Sequence, residues 1–238
     1  EEVLALGPDV LLDMTTLTKQ TAAKADELQA QTGVPVLVVS FDLLHIGESY
    51  RFVGPALTCA NKAETLAAFC DALIADIGET SAAIAGDDRV TFYYTAGGAG
   101  LQTAPAGSNH TELIEFAGGL NVVNLPAENN GRLKVDMERI LAWQPDVIIA
   151  STPDILKPVL QWEQVNAVAE GKAYTAPTAP FPWLDAPVSV NRIIGLCWAA
   201  ETLYPDVYGY DLAAYTKEFY SLFYGADLTD EAVEALLP

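Results

Sequence analysis

The chain is 238 residues long, with 51% hydrophobic and 18% charged residues, 32 acids against 12 bases, and a formal net charge of -20. That apolar fraction excludes a disordered or fibrous chain, and the length can bury one large core or two small ones. The acid surplus runs through the whole sequence, with 12 acids and 4 bases before residue 87 and 20 and 8 after it. Too few cations are left to neutralise phosphates, so nucleic acid is excluded as a partner and anionic membrane surfaces are disfavoured.

The opening, Glu1-Glu2-Val3-Leu4-Ala5-Leu6-Gly7-Pro8-Asp9-Val10-Leu11-Leu12, does not read as a secretory leader. Its pattern returns 137 residues later as Glu138-Arg139-Ile140-Leu141-Ala142-Trp143-Gln144-Pro145-Asp146-Val147-Ile148-Ile149. Each copy predicts a helix with an apolar face (Val3, Leu4 and Leu6; Ile140, Leu141 and Trp143). Proline stops that helix and a short buried strand follows. Apolar strands alternating with helices indicate parallel sheets. After the first copy, Thr15–Thr32 reads as a helix and 34–39 as a strand. After the second, Ile155–Ala169 reads as a helix and 172–175 as a strand.

Between the copies, apolar residues at three- and four-residue steps from Asn61 to Ile84 predict one long helix. Just before it, Tyr50-Arg51-Phe52 either faces a cleft or covers an exposed helix face. The strand 89–95 then opens a second lobe and leads into Gly97-Gly98-Ala99-Gly100. This is not a dinucleotide fingerprint, since Thr103 stands where the third glycine belongs. The glycines would instead let a ligand approach the backbone. Asn109 with Glu112 reads as a capping box that turns the N–H groups of helix 111–117 toward the loop.

Further on, four prolines stiffen the segment 177–187 around Phe181 and Trp183, which reads as a ligand wall. Trp183→Ala is expected to weaken binding with little loss of stability. Asn191-Arg192 follows as a hydrogen-bonding fork, and the tail from Ser189 is helical and aromatic. Cys59, Cys70 and Cys197 sit among apolar neighbours and read as core residues. With only His45 and His110 present, a zinc site or a Ser-His-Asp triad has little to draw on, and no stretch reads as a membrane span.

Several motifs in order resemble the class III solute-binding proteins of ABC importers, which carry ferric siderophores, haem and cobalamin. They are both Glu…Pro-Asp units with the long helix between them, and Gly107-Ser108 with Glu112-Leu113-Ile114 and Gly118-Gly119-Leu120-Asn121-Val122. Trp162 with Ala167-Val168, Gly171-Lys172-Ala173-Tyr174, and Pro182-Trp183-Leu184-Asp185 through Asn191-Arg192 complete the set. The resemblance implies an α/β fold: two Rossmann-like lobes with parallel-type sheets, joined by one long spine helix, with a ligand in the cleft between them. The expected parts are an N-terminal lobe over 1–60, the spine helix over 61–86, a C-terminal lobe over 87–188 and a helical segment over 189–238. Family members carry further βα units before the first Glu…Pro-Asp segment, so the first lobe is expected to be incomplete.

Ligand-binding positions are expected at Thr95, Gly98, Gln102, Ser108, Trp183 and Arg192. By resemblance, Glu1 and Glu138 would dock on permease arginines. The implied protein is an extracytoplasmic monomer, periplasmic or a lipoprotein, that serves an ABC permease and its ATPase. No resident cofactor is expected. The cargo would be a ferric chelate, a corrinoid or another metal complex, with haem disfavoured because two histidines and two methionines supply few axial ligands. The alternatives are a two-lobed metal-cofactor enzyme or cofactor-insertion protein, and a pure interaction module.

Overall fold

The computed structural model describes residues 2–126, 131–152 and 161–237. Two compact units divide the chain, Glu1–Ile74 and Ala75–Pro238.

In the first unit, α1 (Glu2–Ala5) leads through Gly7 to β1 (Leu11–Met14). The next helix, α2 (Lys19–Thr32), starts later than the sequence pattern suggests, because Thr18 is spent as its cap. The Thr18 hydroxyl accepts from the Thr21 N–H, and Thr21 Oγ1 accepts from the Thr18 N–H, a capping box made of two threonines. At the other end Gly33 takes the left-handed conformation and its N–H closes on the Gln29 carbonyl at 2.8 Å. The chain then returns as β2 (Val36–Val39), parallel to β1 with Leu11 opposite Val36.

Two helices complete this unit, α3 (Ile46–Ala56) and the start of α4 (Ala60–Ala83). They pack closely because a Cβ at Gly54 would lie 2.3 Å from that of Ala63, and one at Gly47 would lie 2.0 Å from Asp71 Oδ1. Arg51 lies between these contacts and donates to Glu64 at 2.8 Å and to Asp71 at 2.6 Å. The Tyr50-Arg51-Phe52 triplet is therefore a helix face, with Phe52 exposed. The predicted long helix is α4. Its buried stripe is Ala63, Ala67, Cys70, Leu73 and Ile77, and the boundary between the units falls inside it. Cys70 and Cys197 are buried as expected, but Cys59 lies exposed in the turn before α4.

The second unit is built on a parallel sheet in the order β5-β3-β7-β8. Its strands are β3 (Thr91–Thr95), β5 (Leu120–Asn121), β7 (Val147–Ala150) and β8 (Ala173–Thr175). A separate antiparallel pair joins β4 (Gln102–Thr103) to β6 (Leu133–Lys134). Along β3 alternate side chains take opposite faces. Tyr93 enters a cluster with Val123, Val135, Ile140, Ile148 and Trp162, while Phe92 packs against Gly119, just after the helix α5 (Glu112–Phe116), where a Cβ would lie 2.8 Å from the Phe92 ring and 2.9 Å from the Ile114 carbonyl oxygen. The tail folds into the same compact unit as α8 (Asn191–Leu203), α9 (Pro205–Tyr208), α10 (Leu212–Tyr224) and α11 (Asp230–Leu236).

The repeated unit is visible in the backbone. In the second copy the helix is α6 (Met137–Trp143). Gly7 and Gln144 hold equivalent positions and both are left-handed, at φ 61° and 43°, so each turns a helix end toward Pro-Asp and a strand. The expected apolar face differs between copies: Ile140 is fully buried, whereas Leu4 and Leu6 of the first copy are 43% and 83% exposed. Of the helix expected over Ile155–Ala169, residues 155–160 lie outside the described residues. The remainder is a turn at Trp162–Gln164 followed by a single helical turn, α7 (Asn166–Ala169). Among the described residues no helix is long and apolar enough to cross a membrane.

Candidate functional site

The order β5-β3-β7-β8 means that the chain leaves β3 toward one side of the sheet and later returns on the other, so β3 and β7 flank the point where the topology reverses. Open parallel sheets bind ligands outside the carboxyl ends of their strands at such a point. A pocket of about 290 Å³ lies there. It is lined by Ala96 and Gly97 just after β3, Ser151 and Thr152 just after β7, and Ala176 and Pro177 just after β8. Gln102, Arg132 and the segment 182–186 close it. Pairing of β4 with β6 brings Arg132 to this wall, since Gln102 lies opposite Lys134.

Asp185 organises the wall. Its carboxylate accepts from the Tyr94 hydroxyl, the Arg132 guanidinium, His110 Nδ1 at 2.6 Å and the Ala186 N–H at 2.7 Å. A carboxylate only accepts, so His110 carries its proton on Nδ1 in this contact. Burial on its own would raise the Asp185 carboxyl. The hydrogen bonds from Tyr94 and His110 and the charge of Arg132 outweigh it and hold the group below its usual range. Burial, with the adjacent Asp185 charge, pushes the Tyr94 phenol upward, so it stays a neutral donor.

The family profile for periplasmic binding proteins matches residues 1–180. The chain belongs to the periplasmic binding protein family. It is 31% identical to the solved ABC transporter solute binding protein of Sulfurospirillum deleyianum DSM 6946, with a TM-score of 0.88 over 99% of this chain and 74% of that one. A periplasmic solute binding protein from Veillonella parvula DSM 2008 is 25% identical, with a TM-score of 0.80 over 99% and 72%. The Haemophilus influenzae molybdate periplasmic binding protein MolA, solved with molybdate, shares the fold at 20% identity and a TM-score of 0.68, over 96% and 76%. No curated protein matches the sequence. The chain is thus a solute-binding protein of an ABC importer with the class III periplasmic-binding fold, and that family works outside the cytoplasm.

Within this family member the expected binding residues separate. Gln102 and Trp183 line the pocket, but the Trp183 side chain is fully buried and its indole N–H donates to the Ala179 carbonyl at 3.1 Å. Trp183 is therefore a packed residue of the wall and not an aromatic displayed to solvent; of the pair, Phe181 is the exposed one. Arg192 is also buried. Its guanidinium pairs with Glu112 and donates to the Asn109 carbonyl at 3.4 Å, outside the pocket lining. The expected capping box does not form, because the five-residue α5 takes Thr111 as its N-cap, without a side-chain cap, and Glu112 is its first residue.

Ser108 is partly buried, bonded to the Gly131 carbonyl at 3.4 Å and to the His110 N–H at 3.2 Å, and is outside the lining. Thr95, which ends β3, is fully buried, and Gly98 belongs to a short turn, Gly98–Gly100. Thr95 does not line the pocket. The glycine run serves packing at its far end, where a Cβ on Gly100 would come within 2.4 Å of the Trp162 ring. Glu138 is exposed in the first turn of the second-copy helix, and Glu1 lies outside the described residues.

Sequence reasoning missed the pocket-lining Arg132, Ser151 and Thr152 and the hydrogen-bond network gathered on Asp185. Strands of two residues show no period, so nothing along the chain revealed that β6 delivers Arg132. Ser151 and Thr152 were findable in principle, as the polar pair directly after a fully apolar strand.

Proposed function

We propose that the chain works outside the cytoplasm, free in a periplasm or lipid-anchored, as a monomer that takes a metal-containing solute into the pocket of its C-terminal unit. It passes that solute to an ABC permease and its ATPase without altering it. The observation that carries this reading is the position of the pocket at the switch point between β3 and β7. At about 290 Å³ it lies at the small end of ligand sites. It suits a compact complex or one arm of a larger chelate or corrinoid.

Holding, not turnover, fits the chemistry of the wall. Asp185 accepts four donors and is already ionised, so it has no proton to give. Any metal is taken to arrive inside its own complex, held by the pocket through that complex's outer groups. The exposed Glu138 offers the permease a negative contact, and Glu1 is its proposed counterpart. The test is a tryptophan-fluorescence titration with ferric citrate, a ferric hydroxamate siderophore, haem, cyanocobalamin and molybdate. Saturable quenching by one probe, recovered chemically unchanged, supports the reading, and quenching by none contradicts it.

A further inference from the structure

Resting on the solute-binding reading, we propose that Arg132 is the recognition group of the pocket and that the solute presents it with an anionic oxygen group, a carboxylate or a tetrahedral oxyanion. Among the described residues two buried side-chain polar atoms have no hydrogen-bond partner, Arg132 Nε and Thr95 Oγ1. Arg132 lines the pocket, whereas Thr95 lies outside the lining. Native structures satisfy nearly all buried polar atoms, so an unpartnered Nε on a pocket-lining arginine points to a partner that arrives there.

The guanidinium is held without being used up. Asp185 takes Nη2, and Tyr94 and His110 fix Asp185 in turn, leaving Nε without a partner. A planar guanidinium held in this way keeps an N–H donor for an oxygen of an anionic group. The hydroxyls of Ser151 and Thr152 and the amide of Gln102 add donors around the same space. Among the described lining residues Arg132 is the one cation, and the charge of the one acid, Asp185, is already shared by four donors. In a chain of net charge -20, this compensated spot is where an anion meets attraction and not repulsion.

Isothermal titration of the wild type, R132K and T152V with sodium molybdate, ferric citrate and cyanocobalamin tests the proposal, with circular-dichroism melts confirming that each variant folds. An anion should bind saturably. R132K keeps the charge but loses the fork, and should weaken that anion by about tenfold or more. T152V leaves the Asp185 network intact and should weaken it by about threefold or more. Molybdate binding would identify a free oxyanion, and binding of ferric citrate alone a carboxylate arm. Unchanged anion affinity in both variants, or saturable binding of cyanocobalamin alone, would overturn the proposal while leaving the solute-binding reading standing. No binding of any probe would overturn both.

Discussion

Asp146 clamps Thr91 from two directions. Its Oδ2 accepts the Thr91 N–H at 2.9 Å and the Thr91 hydroxyl at 2.6 Å, and its own N–H returns a bond to Thr91 Oγ1 at 3.0 Å. These contacts tie the starts of β3 and β7 together, immediately before Phe92 meets Val147 in the ladder. In the second copy the Pro-Asp-Val segment thus starts β7 in register with β3, and the same register runs on to the strand ends that frame the pocket.

Asp146→Ala should lower stability by about 1–2 kcal/mol, the scale of hydrogen bonds to a charged acceptor near the surface. For a chain of this size that is a melting shift of about 2–8 °C, read by circular dichroism, with Asp146→Asn falling between the two. An unchanged melting temperature would show that the clamp is not needed for the sheet.

Trp183→Ala should destabilise by about 3–5 kcal/mol, because it empties a fully buried site. Gly195→Ala should act on the same contact, since a Cβ there would lie 1.9 Å from the Trp183 carbonyl oxygen. Denaturant unfolding of both variants checks this. A stable Trp183→Ala protein with weakened binding would restore the displayed-aromatic reading.

The depressed Asp185 carboxyl makes stability depend on acid. A carboxyl lowered on folding stabilises fully above its unfolded value of about 3.9, and the contribution fades as pH falls through the folded value. Asp185→Asn should cost about 3 kcal/mol at pH 7, the scale for breaking a largely buried pair. It should also flatten the loss of stability below about pH 4. Parallel acid-unfolding curves for variant and wild type would contradict the assignment.

Glu138→Arg should reduce uptake through the cognate permease while leaving solute affinity unchanged, because the side chain is exposed and away from the pocket lining. Normal transport by the variant in reconstituted vesicles would remove its docking role.

Much of the fold was legible because it is written in periods the eye can follow. The α4 stripe keeps three- and four-residue steps, and the repeated helix-Pro-Asp-strand unit survives even where Gln144 replaces the glycine found at position 7. The site was less legible. Trp183 and Arg192 are the residue types a ligand site uses, but each is absorbed by packing: one under the loop that Asn191 ties down through the Phe181 carbonyl at 2.8 Å, the other by Glu112. Arg132 reaches the pocket only through a two-residue pairing between β4 and β6, and Asp185 gains its meaning from partners as distant in sequence as Tyr94. Such long-range contacts leave no local signature.

Hydrogen-exchange mass spectrometry with and without a saturating solute tests most directly whether the switch-point pocket is where cargo binds. Slowed exchange in the peptides covering 96–103, 131–134, 151–152 and 176–186 is the predicted result. A bound solute that protects none of these segments would contradict the account.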